Sequence, residues 1–242
     1  MENNILEIDS IIKRYNDKLI LSDIYFKLKT GDIIGLLGRN GSGKSTLLKI
    51  IFGIESSESK FIKVNNKVLL RDKDVITQIS YLDQQSFLPK NLSTNKIISL
   101  SVNKKRLDEF CNDSLIKQIY FLKTRQLSGG ELRYLEVKLL LFNESKFILL
   151  DEPFSGLSPL NIEIISNLII KNTYQKGIIM TDHNYIEILN ICSKIYLLKN
   201  GKNYLIKNTN ELLEHGYIKK NIMKKIKIIL FALFITTISY AQ

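Results

Sequence analysis

The sequence predicts an α/β fold in which a mostly parallel sheet is flanked by helices and carries an antiparallel β subdomain and a small helical insertion. Three observations support it. A glycine-rich loop joins the apolar, strand-like run Asp32 to Leu37 to a helix-like run from Ser45 to Phe52. Two further runs, Phe147 to Leu150 and Gly177 to Thr181, are continuously apolar, as parallel strands buried on both faces are, and they alternate with helical stretches. Near the start, Ile5 to Tyr15 and Leu19 to Leu28 flank Asn16-Asp17, which reads as an antiparallel hairpin.

Composition sets the frame for these elements. A chain of 242 residues with 45% hydrophobic content has ample material for a core, which excludes disorder as the main state. Residues 1–216 read as one domain. The net charge is +11, but Tyr217 to Gln242 contributes five lysines and no acid. The excess that remains is moderate and spread along the chain, with no basic stripe interleaved by aromatics, so no nucleic-acid partner is expected. Cys111 and Cys192 lie far apart without C-x-x-C spacing or a histidine cluster, which reads as reduced thiols in a cytosolic protein.

The glycine-rich loop carries the first chemistry. Gly38, Gly43, Lys44 and Ser45 satisfy G-x-x-x-x-G-K-[ST] in the strand-loop-helix context that the motif requires. Without Cβ atoms at its glycines, the segment Gly38-Arg39-Asn40-Gly41-Ser42-Gly43 can turn backbone N–H groups toward phosphates, and the helix that follows aims its positive end at them. Lys44 supplies a mobile charge, Ser45 offers a hydroxyl to Mg²⁺, and Thr46 can reach the α-phosphate. Tyr15 closes the first strand, where its ring could stack on adenine, although a surface or half-core tyrosine fits the same position.

Further along, Phe61 to Val64 and Lys67 to Leu70 read as a small hairpin, and Ile76 to Leu82 as a strand delivering Asp83-Gln84-Gln85 to the ligand-binding edge of a parallel sheet. The carbonyl of Gln84 could bind Mg²⁺ there. Residues 86–127 form the helical insertion, with helices over Thr94 to Ser101 and Lys104 to Tyr120. Then comes Leu127-Ser128-Gly129-Gly130-Glu131, an S-x-x-E capping box whose two glycines bare N–H groups at a helix start, a second anion site. The strand Phe147 to Leu150 ends in Asp151, suited to Mg²⁺ through its water shell, and Glu152, suited to orient or deprotonate a water. After the loop Phe154 to Pro159 and a helix over Leu160 to Lys171, the strand Gly177 to Thr181 delivers Asp182-His183 to the same edge. A helix over Tyr185 to Cys192, a hairpin around Asn200-Gly201 and a short helix over Asn210 to His215 complete the pattern.

Over about residues 5 to 215 the chain resembles the ATP-binding cassette (ABC) ATPases, a P-loop NTPase family. Gly38 to Ser45 matches Walker A, Gln84 the Q-loop, Leu127 to Glu131 the LSGGE signature, Phe147 to Glu152 Walker B, Ser155 to Ser158 the D-loop and His183 the switch histidine. The resemblance implies a head-to-tail homodimer of cassettes closing on two ATP molecules, each held between one chain's Walker motifs and the other's Ser128-Gly129-Gly130. By this carry-over Tyr15 stacks adenine, Lys44 and Ser45 hold phosphate and Mg²⁺, Glu152 polarises the water and His183 steadies the γ-phosphate. It further implies an ATPase subunit that drives a separate integral-membrane permease from the cytoplasmic face of the cell membrane. A soluble non-transport ABC ATPase and a weakly hydrolysing regulatory cassette are the alternatives. Ser158 departs from the aspartate that usually ends the D-loop, and the insertion is short for a transporter cassette. Met180 to Asn184 and the downstream Ile191-Cys192 look like the lipopolysaccharide-export and branched-chain amino-acid-type cassettes.

The tail 217–242 reads as lying outside the fold. Its basic stretch from Met223 to Lys227, apolar run Ile228 to Ile238 and Ser-Tyr-Ala-Gln end follow the grammar of a secretory signal peptide at the wrong terminus. A neighbouring reading frame fused in frame at Met223, a membrane-surface anchor and a docked terminal helix all fit.

Overall fold

The computed structural model describes residues 3–219. The chain begins with β1 (Ile5–Tyr15) and β2 (Lys18–Lys29), enters β3 (Ile33–Leu37) and α1 (Lys44–Phe52), and continues through β4 (Ser59–Val64), β5 (Lys67–Val68), α2 (Asp72–Gln78) and β6 (Ile79–Leu82). The insertion holds α3 (Thr94–Ser101), α4 (Leu107–Cys111) and α5 (Ser114–Ile119). Then follow α6 (Gly129–Phe142), β7 (Phe147–Asp151), α7 (Pro159–Asn172), β8 (Gly177–Thr181), α8 (Tyr185–Ile191), β9 (Lys194–Lys199), β10 (Lys202–Ile206) and α9 (Thr209–Glu214).

Two sheets result. One has the order β10-β9-β3-β8-β7-β6, with β9, β3, β8, β7 and β6 mutually parallel and β10 antiparallel at the edge. The other, β2-β1-β4-β5, is antiparallel. Every residue of β3, β7 and β8 is buried, because the large sheet is covered on both faces. Alternate residues feed two cores: Ile148, Leu150, Ile178 and Met180 pack toward α6, α7 and α8, whereas Phe147, Leu149 and Ile179 pack toward α1 and the antiparallel sheet. Each such side chain contributes about 2 kcal/mol by leaving water. The hairpin turns follow residue chemistry: Asn65-Asn66 and Asn200-Gly201 have positive φ at both positions, which a two-residue turn between twisted strands requires.

The structure corrects two sequence expectations. The strand predicted over Ile76 to Leu82 is confined to Ile79–Leu82, because residues 72–78 form α2, opened by Asp72 and Asp74 in its first turn. Ile76 is accordingly 57% exposed on that helix. The single helix predicted over Lys104 to Tyr120 is broken at Asn112-Asp113, where Asp113 leaves the helical region and its carboxylate accepts from the Ile116 N–H to start α5. Cys111 and Cys192 are free and partly buried. Of the tail, Tyr217 to Lys219 are described and Ile218 is buried against the core; the signal-like stretch from Met223 onward lies outside the described residues. Among the described residues no helix is long and apolar enough to cross a membrane.

Asp113 also joins the insertion to α6. Its carboxylate accepts from Lys138 Nζ and Tyr134 Oη, both at 2.5 Å, and the Lys138 side chain is 4% exposed. Burial alone would raise the Asp113 carboxyl, but the hydrogen bonds from Lys138 and Tyr134 outweigh it and hold the group below its ordinary value. The stability from this pair is therefore in place at neutral pH and is lost as pH falls through and below the ordinary carboxylate range. Asp113→Ala leaves a buried ammonium unpaired and should lower unfolding free energy by about 3 kcal/mol in urea titration, with much of the loss recovered in the Asp113→Ala/Lys138→Met double variant. A loss under about 1 kcal/mol would contradict the pair's role.

Candidate active site

The phosphate loop begins where β3 ends between β8 and β9. Its glycines answer to close approach. A Cβ at Gly38 would meet Ser42 Oγ at 2.5 Å and the Leu198 carbonyl at 2.9 Å, and Gly43 holds φ +101° as the residue before α1. Among the described residues no side chain caps α1, which leaves its first N–H groups to face a ligand. Lys44 folds back on its own loop, donating to the Gly38 carbonyl at 2.9 Å. Burial lowers its ammonium pKa, while Glu152 and Asp151 pull the other way.

The acidic edge lies beside this loop. Asp151 is 1% exposed, and its carboxylate accepts from Ser45 Oγ at 3.1 Å, Thr181 Oγ1 at 2.9 Å and Tyr81 Oη at 3.2 Å. These donors come from α1, β8 and β6. Glu152 takes φ +52°, a left-handed conformation that a non-glycine residue adopts at a cost of about 1–3 kcal/mol. The turn swings its carboxylate to 2.8 Å from His183 Nε2. Asp182, 3% exposed, accepts from the Phe154 N–H at 2.9 Å and the Asn184 N–H at 2.8 Å, which ties the loop after β7 to the loop after β8. Burial raises its carboxyl pKa against those two hydrogen bonds.

A cavity of about 380 Å³ gathers Tyr15, the loop Asn40 to Thr46, Gln84, Glu152 and His183. Tyr15 is 45% exposed, with Lys13 Nζ 4.6 Å from its ring centroid. A larger cavity of about 730 Å³ flanks the outer side of the loop, between Arg39, Lys199, His215 and Tyr217; among the described residues no carboxylate lines it, whereas Glu152 lines the smaller one. Ser128, Gly129 and Gly130 do not line either cavity. Ser128 caps α6 in a reciprocal box with Glu131, whose carboxylate accepts from the Ser128 N–H at 2.7 Å. The two glycines serve different ends. A Cβ at Gly130 would collide with the Asn161 side chain of α7 at 2.2 Å, whereas one at Gly129 would meet none of the described residues within 4 Å. Ser158, in place of the usual aspartate, caps α7 ahead of Pro159.

Two contributors escape a reading of the sequence, Tyr81 and Thr181, and Asp182, which the sequence places at this edge, gains its bridging bonds only in the fold. Thr181 sits opposite Asp151 in the β7–β8 register, so the shared length of the two strands was a usable signal. Tyr81 had none, because only the β6–β7 pairing brings its hydroxyl to the carboxylate.

Residues 21–155 match the family model described as ABC transporter. The lipopolysaccharide export system ATP-binding protein LptB of Haemophilus influenzae is 30% identical over 214 residues, covering 82% of this chain and 88% of that protein. An uncharacterised ABC transporter ATP-binding protein of Methanocaldococcus jannaschii is 28% identical over 206 residues, covering 81% and 75%. The fold is similar to the solved structure of an ATP-binding subunit of an ABC transporter, with a TM-score of 0.76 at 20% identity over 94% of this chain and 99% of that one. The chain belongs to the ABC transporter family, as an ATP-binding and ATP-hydrolysing subunit.

Proposed function

We propose that two copies of this chain close head to tail on two ATP molecules and so drive a separate integral-membrane permease at the cytoplasmic face of the membrane. The observation that carries it is the separation within one copy: the cavity gathers Tyr15, the phosphate loop, Gln84, Glu152 and His183, while the anion-suited start of α6 lies outside it. A second copy supplies Ser128, Gly129 and Gly130 across the γ-phosphate. Relatives named as lipopolysaccharide export subunits favour a related export substrate.

Each residue has a role in this reading. Tyr15 stacks on adenine. Backbone N–H groups of Gly38 to Thr46 wrap the phosphates, and Lys44 turns from the Gly38 carbonyl to the β- and γ-phosphates. The donor set fits Mg²⁺, since Ser45 Oγ and the Asp151 carboxylate are hard oxygen donors held 3.1 Å apart, with the Gln84 amide on the same cavity. Ser45 would hold the cation directly, Asp151 through water and Gln84 through its carbonyl. When bound, the cation neutralises charge on the β- and γ-phosphate oxygens. Glu152 takes a proton from the water whose oxygen attacks the γ-phosphorus, as the bond from that phosphorus to the ADP oxygen breaks. His183, 2.8 Å from Glu152, orients that carboxylate and reaches the γ-phosphate.

Glu152→Gln keeps size but not basicity, so turnover should fall by about a thousandfold while ATP and Mg²⁺ shift the chain from monomer to dimer in light scattering. A variant that stays monomeric at saturating ATP would contradict the shared site. For the transport role, affinity capture of the tagged chain from solubilised membranes should bring down an integral-membrane protein, and an exclusively soluble or ribosome-bound pool would favour a non-transport ATPase.

A further inference from the structure

Two buried charges on the signature helix remain outside the mechanism above. Arg133 is 8% exposed and Glu136 is 1% exposed, one turn apart on α6, with Arg133 Nη1 3.3 Å from Glu136 Oε2. Neither touches the nucleotide cavity. Both face the segment that follows β6. The guanidinium donates to two successive carbonyls, Asp83 at 3.0 Å and Gln84 at 2.6 Å, and Glu136 Oε1 accepts from the Phe87 N–H at 3.2 Å. Burying an ion pair is costly enough that stability alone is a poor reason for it. Here both partners are consumed in gripping the backbone of residues 83–87.

We infer that Arg133 and Glu136 are positioning residues that fix the Gln84 backbone to the signature helix, so that Gln84 enters the metal side of the site only when α6 is correctly placed. A rigid guanidinium fork spans two adjacent carbonyls, which a lysine ammonium cannot do at once. The same helix presents Ser128 and Gly129 at its start. The inference rests on the reading of Gln84 as a metal-side ligand.

The test compares Arg133→Lys, Gln84→Ala and their combination in the full chain. A neutral pair, Arg133→Gln with Glu136→Gln, removes the guanidinium without stranding a buried carboxylate and covers the case in which Arg133→Lys fails to fold. Without nucleotide, hydrogen exchange of the backbone amides in 83–88 should quicken about tenfold in Arg133→Lys or the neutral pair. The Mg²⁺ concentration for half-maximal ATPase should rise about tenfold, with KM for ATP within about twofold of the parent chain. In the Gln84→Ala background the second change should add nothing. Parental exchange rates, or an Mg²⁺ effect that adds in full to that of Gln84→Ala, would overturn the inference. Faster exchange in the Arg133 variants, together with an unaltered Mg²⁺ requirement in Gln84→Ala, would overturn the reading of Gln84 and with it the route to the metal.

Discussion

The Asp151 carboxylate, buried at the carboxyl end of β7, dictates what its neighbours must be. Removing an ionised carboxylate from water costs several kcal/mol. Three hydroxyl donors, from Ser45, Thr181 and Tyr81, return about 2 kcal/mol each. Cost and return nearly offset, so the arrangement adds little to stability. It does fix the relation of α1, β6 and β8 to one oxygen pair, and the phosphate loop is held at one end of that relation. Moving β6 or β8 by one residue would present the wrong side chain to the carboxylate and reverse that strand's apolar faces.

Parallel pairing in register explains why the chemistry sits on one edge. The pairs Leu82↔Leu150 and Asp151↔Thr181 bring three strands to a common end, and Gln84, Glu152 and His183 follow within two residues. At that edge Glu152 is strained at φ +52° and Asp182 bridges the two loops. The strain persists because the buried Asp151 on one side and the Phe154 N–H bond to Asp182 on the other hold the backbone at both ends. His183 is half exposed and its Glu152 partner is 13% exposed, so both side chains line the cavity while Asp151 and Asp182 behind them are buried.

Much of this was legible in the sequence where a residue's own chemistry sets its environment. The apolar runs of β3, β7 and β8 admit little but double-sided burial, and the glycine loop admits little but close backbone approach. The family resemblance then ordered the site residues, and the match over residues 21–155 agrees with it. What stayed hidden depends on tertiary neighbours. The Ile76 to Gln78 stretch has apolar and β-branched residues that suit a strand, yet Asp72 and Asp74 start a helix that carries through them. Asn112-Asp113 looked like helix interior because its capping bond to Ile116 is a matter of side-chain direction. The role of Arg133 was invisible for the same reason, since an arginine on a polar helix face ordinarily points to solvent.

The central claim is that one functional ATP site needs the phosphate loop of one copy and the start of α6 of another. The most direct test mixes two inactive variants: Lys44→Ala, which spoils the loop, and Gly129→Glu, whose added side chain meets none of the described residues within 4 Å of its Cβ position in its own chain and repels phosphate in a shared site. Each alone should lack ATPase activity. Mixed equally, half the dimers would hold one intact site of two, so the account predicts about a quarter of the parental rate. A mixture as inactive as its parts, or full activity of Gly129→Glu alone, would contradict it.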